Sequence, residues 1–252
     1  MKTAIVIPAR YASTRLPGKP LLRETGKYLI QHVYERACEA RGIEQVVVAT
    51  DDPRIAAAVE GFGGRCAMTR PDHSSGTDRV AEVARGLDAD LVVNLQGDEP
   101  LIDPRSLEVL AGLLATDEDA VMATLAAPIR SEEQWRNPNC VKVVCDAASR
   151  ALYFSRSAIP FVRDGTPDFA ARPPGFLQHL GLYAYRRGFL LRLASLPPAR
   201  LELAEKLEQL RVLALGCTIQ VGIVEQAGSG VDTYEDYQHF VAAYRAGLGR
   251  AA

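Results

Sequence analysis

Short apolar runs alternate with helical segments from residue 4 to residue 95, and this alternation limits the folds open to the chain. The run at 4–7 is wholly apolar and those at 45–50 and 91–95 are mostly so, and all three are short, as in strands that are buried on both faces. Apolar residues recur at helical spacing between them, at 28–41 and 53–61. Helical crossovers between buried strands produce a parallel sheet with helices on both faces. We therefore predict an α/β fold with a doubly wound, mainly parallel sheet.

The rest of the chain continues this pattern with one long interruption. We predict further strands at 65–68, 120–125, 141–144, 152–154, 180–185 and 219–224, and helices at 80–86, 104–114, 189–193, 201–215 and 233–248. Pro8 has no N–H and is expected to end the first strand. Thr77 and Asp78 are candidate caps for the helix at 80–86. Residues 155–178 are rich in Pro, Arg, Asp and Gly, and loops of this length are usually functional or interfacial.

Composition narrows the classes of function. The 252 residues suffice for one large domain, and a net charge of −2 gives no electrostatic case for binding nucleic acid. No apolar run approaches the roughly 20 residues of a membrane-spanning helix. The five cysteines are scattered and odd in number, which favours free thiols in a reducing cytoplasm. We expect a cytoplasmic protein that does not bind membranes.

A basic loop follows the first strand. Arg10, Arg15 and Lys19 lie within it, and no acidic residue occurs between Ile7 and Arg23. Guanidinium and ammonium groups bind phosphate, and open α/β sheets bind ligands at the carboxyl ends of their strands. The loop therefore predicts a polyphosphate site, with a solvated basic loop as the alternative. It is not a Walker A motif, because a proline follows Lys19 where Ser or Thr is required.

Carboxylates are predicted at the same edge of the sheet. Asp98 follows the strand at 91–95, and Asp232 follows the strand at 219–224. Mg²⁺ prefers one or two carboxylates together with substrate oxygens. The two aspartates are therefore candidate magnesium ligands. The alternatives are a turn cap for Asp98 and a helix N-cap for Asp232.

Blocks of sequence along nearly the whole chain carry a family resemblance. They are PARYxSTRLPGKPL at 8–21, ATDD at 49–52, SGTDR at 75–79, QGDEPLI at 96–102, PNxVKVV at 138–144, ALYFSR at 151–156, HxGxYAYR at 179–186, LEQLR at 207–211 and GVDT at 230–233. Together they resemble the cytidylyltransferases that make CMP-activated sugar acids, most closely those that act on 3-deoxy-manno-octulosonate (Kdo). The resemblance implies a nucleotide-diphospho-sugar transferase-like fold. It also implies that CMP passes from CTP to the anomeric C2 hydroxyl of Kdo, with release of pyrophosphate, to give CMP-Kdo for lipopolysaccharide biosynthesis.

The resemblance also implies a role for each matched site residue. The implied catalytic residues are Arg10, Arg15, Lys19, Asp98 and Asp232, with Mg²⁺ on Asp98 and Asp232. The implied nucleotide-binding residues are Ala9, Arg10, Lys19, Ser75, Gly76, Arg79, Gln96 and Asp98. The implied sugar-binding residues are Arg156, His179, Tyr183, Glu208 and Gln209. From the residues alone, Tyr183 could instead lie in the core, Arg156 at an interface, and Glu208 and Gln209 on a solvated helix face.

For organisation, the resemblance implies a single cytidylyltransferase domain over residues 1–252. A small inserted region at about 150–186 would serve dimerisation and the sugar side, in a homodimer. Three other functions stay open: a cytidylyltransferase for sialic acid or amino-Kdo, a non-catalytic nucleotide-binding protein, and a glycosyltransferase. The last is disfavoured because its Asp-x-Asp motif is expected after a strand, whereas Asp88-Ala89-Asp90 precedes one.

Overall fold

A computed structural model of the chain describes residues 1–12, 16–73, 75–171, 173–225, 228 and 230–247. The strands are β1 (Thr3–Ala9), β2 (Gln45–Thr50), β3 (Cys66–Met68), β4 (Leu91–Asn94), β5 (Ala120–Pro128), β6 (Lys142–Cys145), β7 (Ala151–Ser155), β8 (Leu177–Arg186) and β9 (Thr218–Ile223). The helices are α1 (Leu29–Cys38), α2 (Pro53–Gly61), α3 (Gly76–Ala84), α4 (Pro104–Thr116), α5 (Glu132–Arg136), α6 (Arg187–Leu193), α7 (Arg200–Glu205), α8 (Gln209–Ala214) and α9 (Tyr234–Arg245). Within the described residues, no helix is long and apolar enough to cross a membrane.

The chain divides into two compact units. Unit 1 comprises Met1–Glu108 and Gly228–Ala252, and unit 2 comprises Val109–Ala227. The predicted insertion at about 150–186 lies within unit 2, and its role in dimerisation stays a prediction.

Unit 1 contains a parallel sheet in the order β3-β2-β1-β4. β1 is almost wholly buried and β4 wholly so, as their apolar runs predict. Because all four strands run the same way, the segments that follow β1, β2 and β4 start from one edge of the sheet. The basic loop, the Asp51-Asp52 pair and Asp98 therefore begin at that edge. The predicted α/β class and doubly wound, mainly parallel sheet are confirmed.

Pro8 does not end β1, and that prediction is wrong. β1 continues to Ala9, and Pro8 stands opposite Ala49 of β2. Val6 O accepts a hydrogen bond from Leu95 N, so Pro8, two residues further on, faces the same side of the strand. β4 has already ended on that side, at Asn94. The missing N–H of proline therefore costs no hydrogen bond in the sheet.

The C-terminal segment of unit 1 packs against its N-terminal part. Val231 and three side chains of α9, Tyr237, Phe240 and Val241, pack with Leu16 and Leu29 in one buried cluster. A capping box starts this helix: Thr233 Oγ1 accepts from Asp236 N, and the Asp236 carboxylate accepts from Thr233 N. The segment that contains Val231 and α9 therefore lies beside the basic loop in the same unit.

Unit 2 is built around β5. β8 pairs with it antiparallel and β9 parallel, and β6 joins both β7 and β8 in antiparallel pairs. The β5–β8 register shifts between Thr124, which stands opposite Tyr183, and Leu125, which stands opposite Leu180. β8 therefore bulges at Gly181 and Leu182.

Three local predictions are corrected by the structure. The predicted helix at 201–215 is two helices, α7 and α8, because Lys206 adopts a left-handed conformation with φ of +55°. α3 begins at Gly76, four residues before the predicted start, and its N-cap is Ser75 rather than Thr77 or Asp78. Helix α5, which Ser131 caps, was not predicted. The excursion before β8 is confirmed, since the described residues from 156 to 176 form neither helix nor strand.

Candidate active site

The base of the basic loop is fixed by Tyr11. Gly18 N donates to Tyr11 O at 3.0 Å, and Gly18 has a φ of +69°. A Cβ on Gly18 would lie 3.2 Å from the Tyr11 ring, so this close approach requires glycine. On the same ring, the Arg54 guanidinium carbon lies 3.4 Å from the centroid, and Asp52 pairs with Arg54 at 2.6 Å. The two ends of the loop are therefore held together, while its residues 13–15 lie outside the described residues.

Two of the three predicted loop cations, Arg10 and Lys19, lie within the described residues, and their surroundings differ. Arg10 Nη2 donates to His73 O at 3.2 Å, which ties the loop to the segment before α3. Lys19 lies at the other end of the loop, in a short 3₁₀ turn at Lys19–Leu21. Arg15 lies outside the described residues, and its role stays a prediction.

Lys19 holds the two predicted carboxylates together. Its Nζ is 2.8 Å from Asp98 Oδ2 and 3.6 Å from Asp232 Oδ1, and it donates to Val231 O at 2.8 Å. The Lys19 side chain is only 13% exposed. The structure thus brings the ends of β4 and of the 230–233 segment to one cation, as the sequence predicts. Asp232 is not the N-cap of α9, because Thr233 occupies that position.

A third carboxyl group, that of Glu99, lies behind this pair. Cβ atoms built on Gly228 and Gly230 would lie 3.0 and 3.6 Å from its carboxylate oxygens. Burial, and then the charges of Asp98 and Asp232, raise the pKa of Glu99 to about 7, and the charge of Lys19 opposes this shift. The sequence shows two adjacent acids at the end of a strand but carries no signal of which one is buried. The Lys19 ammonium therefore interacts electrostatically with three acidic groups, Asp98, Asp232 and Glu99.

The donor set of Asp98 and Asp232 fits a magnesium ion that completes its coordination with substrate. Both carboxylates already reach one cation, the Lys19 ammonium. Within the described part of the chain, no three His, Cys, Asp or Glu side chains form a group that could hold a metal ion alone. Mg²⁺ in phosphoryl-transfer enzymes needs only one or two carboxylates plus phosphate oxygens.

Two of the predicted nucleotide-binding residues, Ser75 and Gly76, lie at the start of α3, near the end of β1. Ser75 Oγ accepts from Asp78 N at 3.1 Å and caps the helix. A Cβ on Gly76 would lie 3.6 Å from the Pro8 ring, which places the first turn of α3 beside the residue before Ala9. Gln96 Nε2 donates to Asn94 Oδ1 at 3.1 Å. The N–H groups of a first helical turn favour an anionic ligand.

Arg79 is the most deeply buried of the predicted nucleotide-binding residues. It is 0% exposed, lies 3.0 Å from Asp51 Oδ2, and donates to Thr69 Oγ1. Its Nη1 is held by Thr69 after β3 and its Nη2 faces Asp51 after β2, whereas Nε and Nη2 have no hydrogen-bond partner among the described residues. The structure therefore places Arg79 in a buried ion pair with Asp51, while contact with the nucleotide stays a prediction.

We expect Arg79→Met to lower the free energy of unfolding by about 3–5 kcal/mol, because it leaves the Asp51 carboxylate without its buried partner. Urea titration followed by circular dichroism will measure the loss. Arg85→Met, at the exposed end of the same helix, is the matched control and should cost less than about 0.5 kcal/mol. Equal stability of the two variants would contradict a structural role for the Arg79–Asp51 pair.

Three of the predicted sugar-side residues form one polar cluster in unit 2. Tyr183 Oη donates to Gln209 Oε1 at 3.3 Å, and Gln209 Nε2 lies 3.5 Å from His179 Nδ1. Gln209 is 2% exposed, so the alternative of a solvated helix face is wrong for it. Burial lowers the pKa of His179 to about 3, and burial and then the charge of Glu208 raise the pKa of Tyr183 above its usual range. His179 is therefore a neutral group at physiological pH.

Arg156 and Glu208 lie outside these hydrogen bonds. Arg156 Nε donates to Glu205 O at 2.7 Å, its Nη1 donates to Pro138 O at 3.0 Å, and its backbone N donates to the Glu205 carboxylate at 2.9 Å. Glu208 occupies the N-cap position of α8, next to Gln209. The structure thus anchors Arg156 to the end of α7, and its contact with a sugar stays a prediction.

Comparisons with known proteins agree on one family. A family model described as Cytidylyltransferase matches residues 4–219. A 3-deoxy-manno-octulosonate cytidylyltransferase of Syntrophobacter fumaroxidans is 54% identical over 244 residues, which cover 96% of each chain. One of Thioalkalivibrio sulfidiphilus is 53% identical over 251 residues, 98% of this chain and 100% of its own. A solved structure of CMP:2-keto-3-deoxy-manno-octonic acid synthetase complexed with CTP is similar with a TM-score of 0.91 and 47% identity, covering 98% of this chain and 100% of its own.

Proposed function

The chain belongs to the cytidylyltransferase family. From this premise we propose that it transfers CMP from CTP to the anomeric C2 hydroxyl of Kdo, releases pyrophosphate, and supplies CMP-Kdo to lipopolysaccharide biosynthesis. The relatives that are half identical over almost the full length support the substrates. The observation that carries the chemistry is the Lys19 ammonium between Asp98 and Asp232 at the end of a parallel strand.

Residues of unit 1 are proposed to bind CTP. Lys19 places a buried positive charge where β1 and β4 end, and such a charge would stabilise the negative charge that develops on the departing pyrophosphate. Arg10 and Arg15 would bind the outer phosphates from the same loop. Ala9, Ser75, Gly76, Arg79 and Gln96 are proposed to lie around the nucleoside. Displacement at the α-phosphate asks the protein for alignment and positive charge rather than a covalent intermediate.

Asp98 and Asp232 are proposed to hold Mg²⁺, because both carboxylates converge on one cation. A bound Mg²⁺ would supply positive charge to the phosphate oxygens and favour loss of the proton from the attacking hydroxyl. Asp98 would also keep the Lys19 ammonium oriented through its 2.8 Å contact. Asp98 would then have two effects: it would help to hold the Mg²⁺ that binds the phosphates, and it would orient the Lys19 ammonium.

Residues of unit 2 are proposed to bind the sugar acid. His179, Tyr183 and Gln209 already share hydrogen bonds, and Glu208 is adjacent to them in sequence. Amide, phenol and carboxylate groups suit the several hydroxyls of Kdo. Arg156 is proposed to face the sugar carboxylate, for which a guanidinium is the usual partner.

We further propose a homodimer in the cytoplasm. Phe161 is 82% exposed and Leu152 is 61% exposed, which supports an apolar contact near the 150–186 region. All five cysteines are free thiols, in keeping with a reducing compartment. The mass in solution, measured by light scattering after size-exclusion chromatography, tests the dimer.

The function is tested by pyrophosphate release from purified protein with Mg²⁺ and pairs of substrates. We expect release with CTP and Kdo together, and at most about one hundredth of that rate when ATP or UTP replaces CTP or sialic acid replaces Kdo. Release only with CTP and sialic acid, or only with amino-Kdo, would keep the chemistry and change the sugar. Binding of CTP without release from any pair would favour the non-catalytic alternative.

A further inference from the structure

The bulge in β8 creates an unusual hydrogen-bonding position for Thr124. The register with β5 shifts directly after Thr124, so residues 181 and 182 of β8 are not paired with any residue of β5. Bulges of this kind re-aim side chains and are frequent next to active sites. Thr124 itself is 0% exposed. Its hydroxyl lies 2.8 Å from Leu182 O and 3.1 Å from Leu180 O, two carbonyls of the bulged strand.

The same hydroxyl also contacts His179. Thr124 Oγ1 is 3.0 Å from His179 Nε2. Carbonyl oxygens only accept hydrogen bonds, so the single hydroxyl proton of Thr124 must point to them. If it pointed to His179, Oγ1 would face two carbonyl oxygens with no proton between. His179 must then carry its proton on Nε2 and donate it to Thr124.

This assignment fixes the rest of the cluster. With the proton on Nε2, His179 Nδ1 can only accept, and the group 3.5 Å away must be the amide NH₂ of Gln209. The amide oxygen of Gln209 then accepts the phenolic proton of Tyr183. The imidazole cannot easily turn over, because it is 7% exposed and packs edge-on against Phe154, with ring centroids 4.9 Å apart.

We propose that Thr124 is a positioning residue for the sugar-side cluster: it holds His179 as the Nε2–H tautomer and thereby orients the Gln209 amide and the Tyr183 hydroxyl. The proposal rests on the proposed function for its effect on the sugar. The low pKa of His179 supports it, since only a neutral imidazole has one bare nitrogen. In this arrangement the only hydroxyl proton of Tyr183 is engaged in the hydrogen bond to Gln209, so the Tyr183 oxygen can only accept a hydrogen bond from a ligand hydroxyl. The second N–H of Gln209 is the donor that the pair retains.

The first readout needs no substrate. In protein labelled with ¹⁵N-histidine, the imidazole of His179, assigned by the signals that His179→Gln removes, is expected to be the Nε2–H tautomer at pH 7.5. We expect Thr124→Ser, which keeps the hydroxyl, to show the same tautomer, and Thr124→Val to show a mixture or the Nδ1–H form. An Nδ1–H tautomer in the wild type would overturn the proposal, even if the valine variant failed to fold.

The second readout is kinetic. We expect Thr124→Val to raise KM for Kdo about tenfold, the cost of about one misplaced hydrogen bond, while KM for CTP stays within about twofold. Thr124→Ser should restore the value. Thr116→Val, which removes a hydroxyl that bonds only to carbonyls of its own helix, is the matched control. An unchanged KM for Kdo in a folded Thr124→Val protein would overturn the positioning role.

The two readouts separate this proposal from the proposed function. If the wild type releases no pyrophosphate from CTP and Kdo, the function fails whatever the tautomer. If the wild type is active and Thr124→Val behaves like the wild type in both measurements, only the role of Thr124 fails.

Discussion

Lys19→Met will lower kcat/KM for CTP by about 10³-fold, the loss typical of a charge that stabilises a phosphoryl-transfer transition state. Methionine keeps most of the length of the side chain but removes the ammonium that contacts Asp98, Asp232 and Val231 O. The remaining carboxylates would repel one another and the triphosphate. Initial rates of pyrophosphate release at saturating Kdo will measure the effect.

Two comparisons make this expectation specific. Lys27→Met removes a lysine that pairs with Glu35 at the surface, and it should retain activity within about twofold. Lys19→Arg keeps the charge but not the compact ammonium, and it should recover only part of the lost rate. A Lys19→Met enzyme with more than about a tenth of wild-type kcat/KM would rule out a direct role for this cation in the reaction.

Asp98→Asn will lower kcat by a similar factor of about 10³, and the apparent affinity for Mg²⁺ will fall as well. The amide oxygen of asparagine can still accept a hydrogen bond from Lys19, so the fold and the position of the ammonium are expected to survive. What the variant lacks is the negative charge that a divalent ion requires. Rates measured across a magnesium titration will separate weaker metal binding from slower chemistry.

The control for this variant is Asp88→Asn, which removes an exposed carboxylate that pairs with Lys2. It should leave both kcat and the magnesium dependence unchanged. If Asp98→Asn kept its magnesium dependence and lost only affinity for CTP, Asp98 would act on Lys19 alone and the proposed metal site would be wrong.

The parts of the site that depend on sheet geometry could be predicted from sequence. The limits of β2 match the predicted strand at 45–50, and Asp52 caps α2 as its position before Pro53 indicates. Lys19 and Asp98 meet because loops that follow parallel strands share one edge of the sheet. Such regularities need only the local pattern and the direction of the strands.

Other features depend on contacts that local patterns do not carry. Pro8 is tolerated in β1 only because β4 ends before reaching it. The apolar spacing at 201–215 predicts one helix, yet Lys206 adopts a left-handed conformation that interrupts it. A lysine gives no sign of this, because the left-handed region favours Gly, Asn and Asp. Thr124 is an ordinary strand threonine in sequence, and only the bulge of β8 shows what its hydroxyl contacts. The sugar-side residues were predicted from the family resemblance, not from their spacing.

The division of unit 1 into two sequence segments has a consequence for how the protein is made. Synthesis runs from the N-terminus, so all of Val109–Ala227 leaves the ribosome before the segment that contains Asp232 and α9. The contact between Lys19 and Val231 spans 212 positions, and loop closure over such distances is slow compared with local folding. During translation, Lys19 therefore cannot contact Asp232 until the C-terminal segment has been synthesised. A nascent chain that stalls within unit 2 would carry Lys19 without Asp232 and Val231, the C-terminal partners that it contacts in the folded protein.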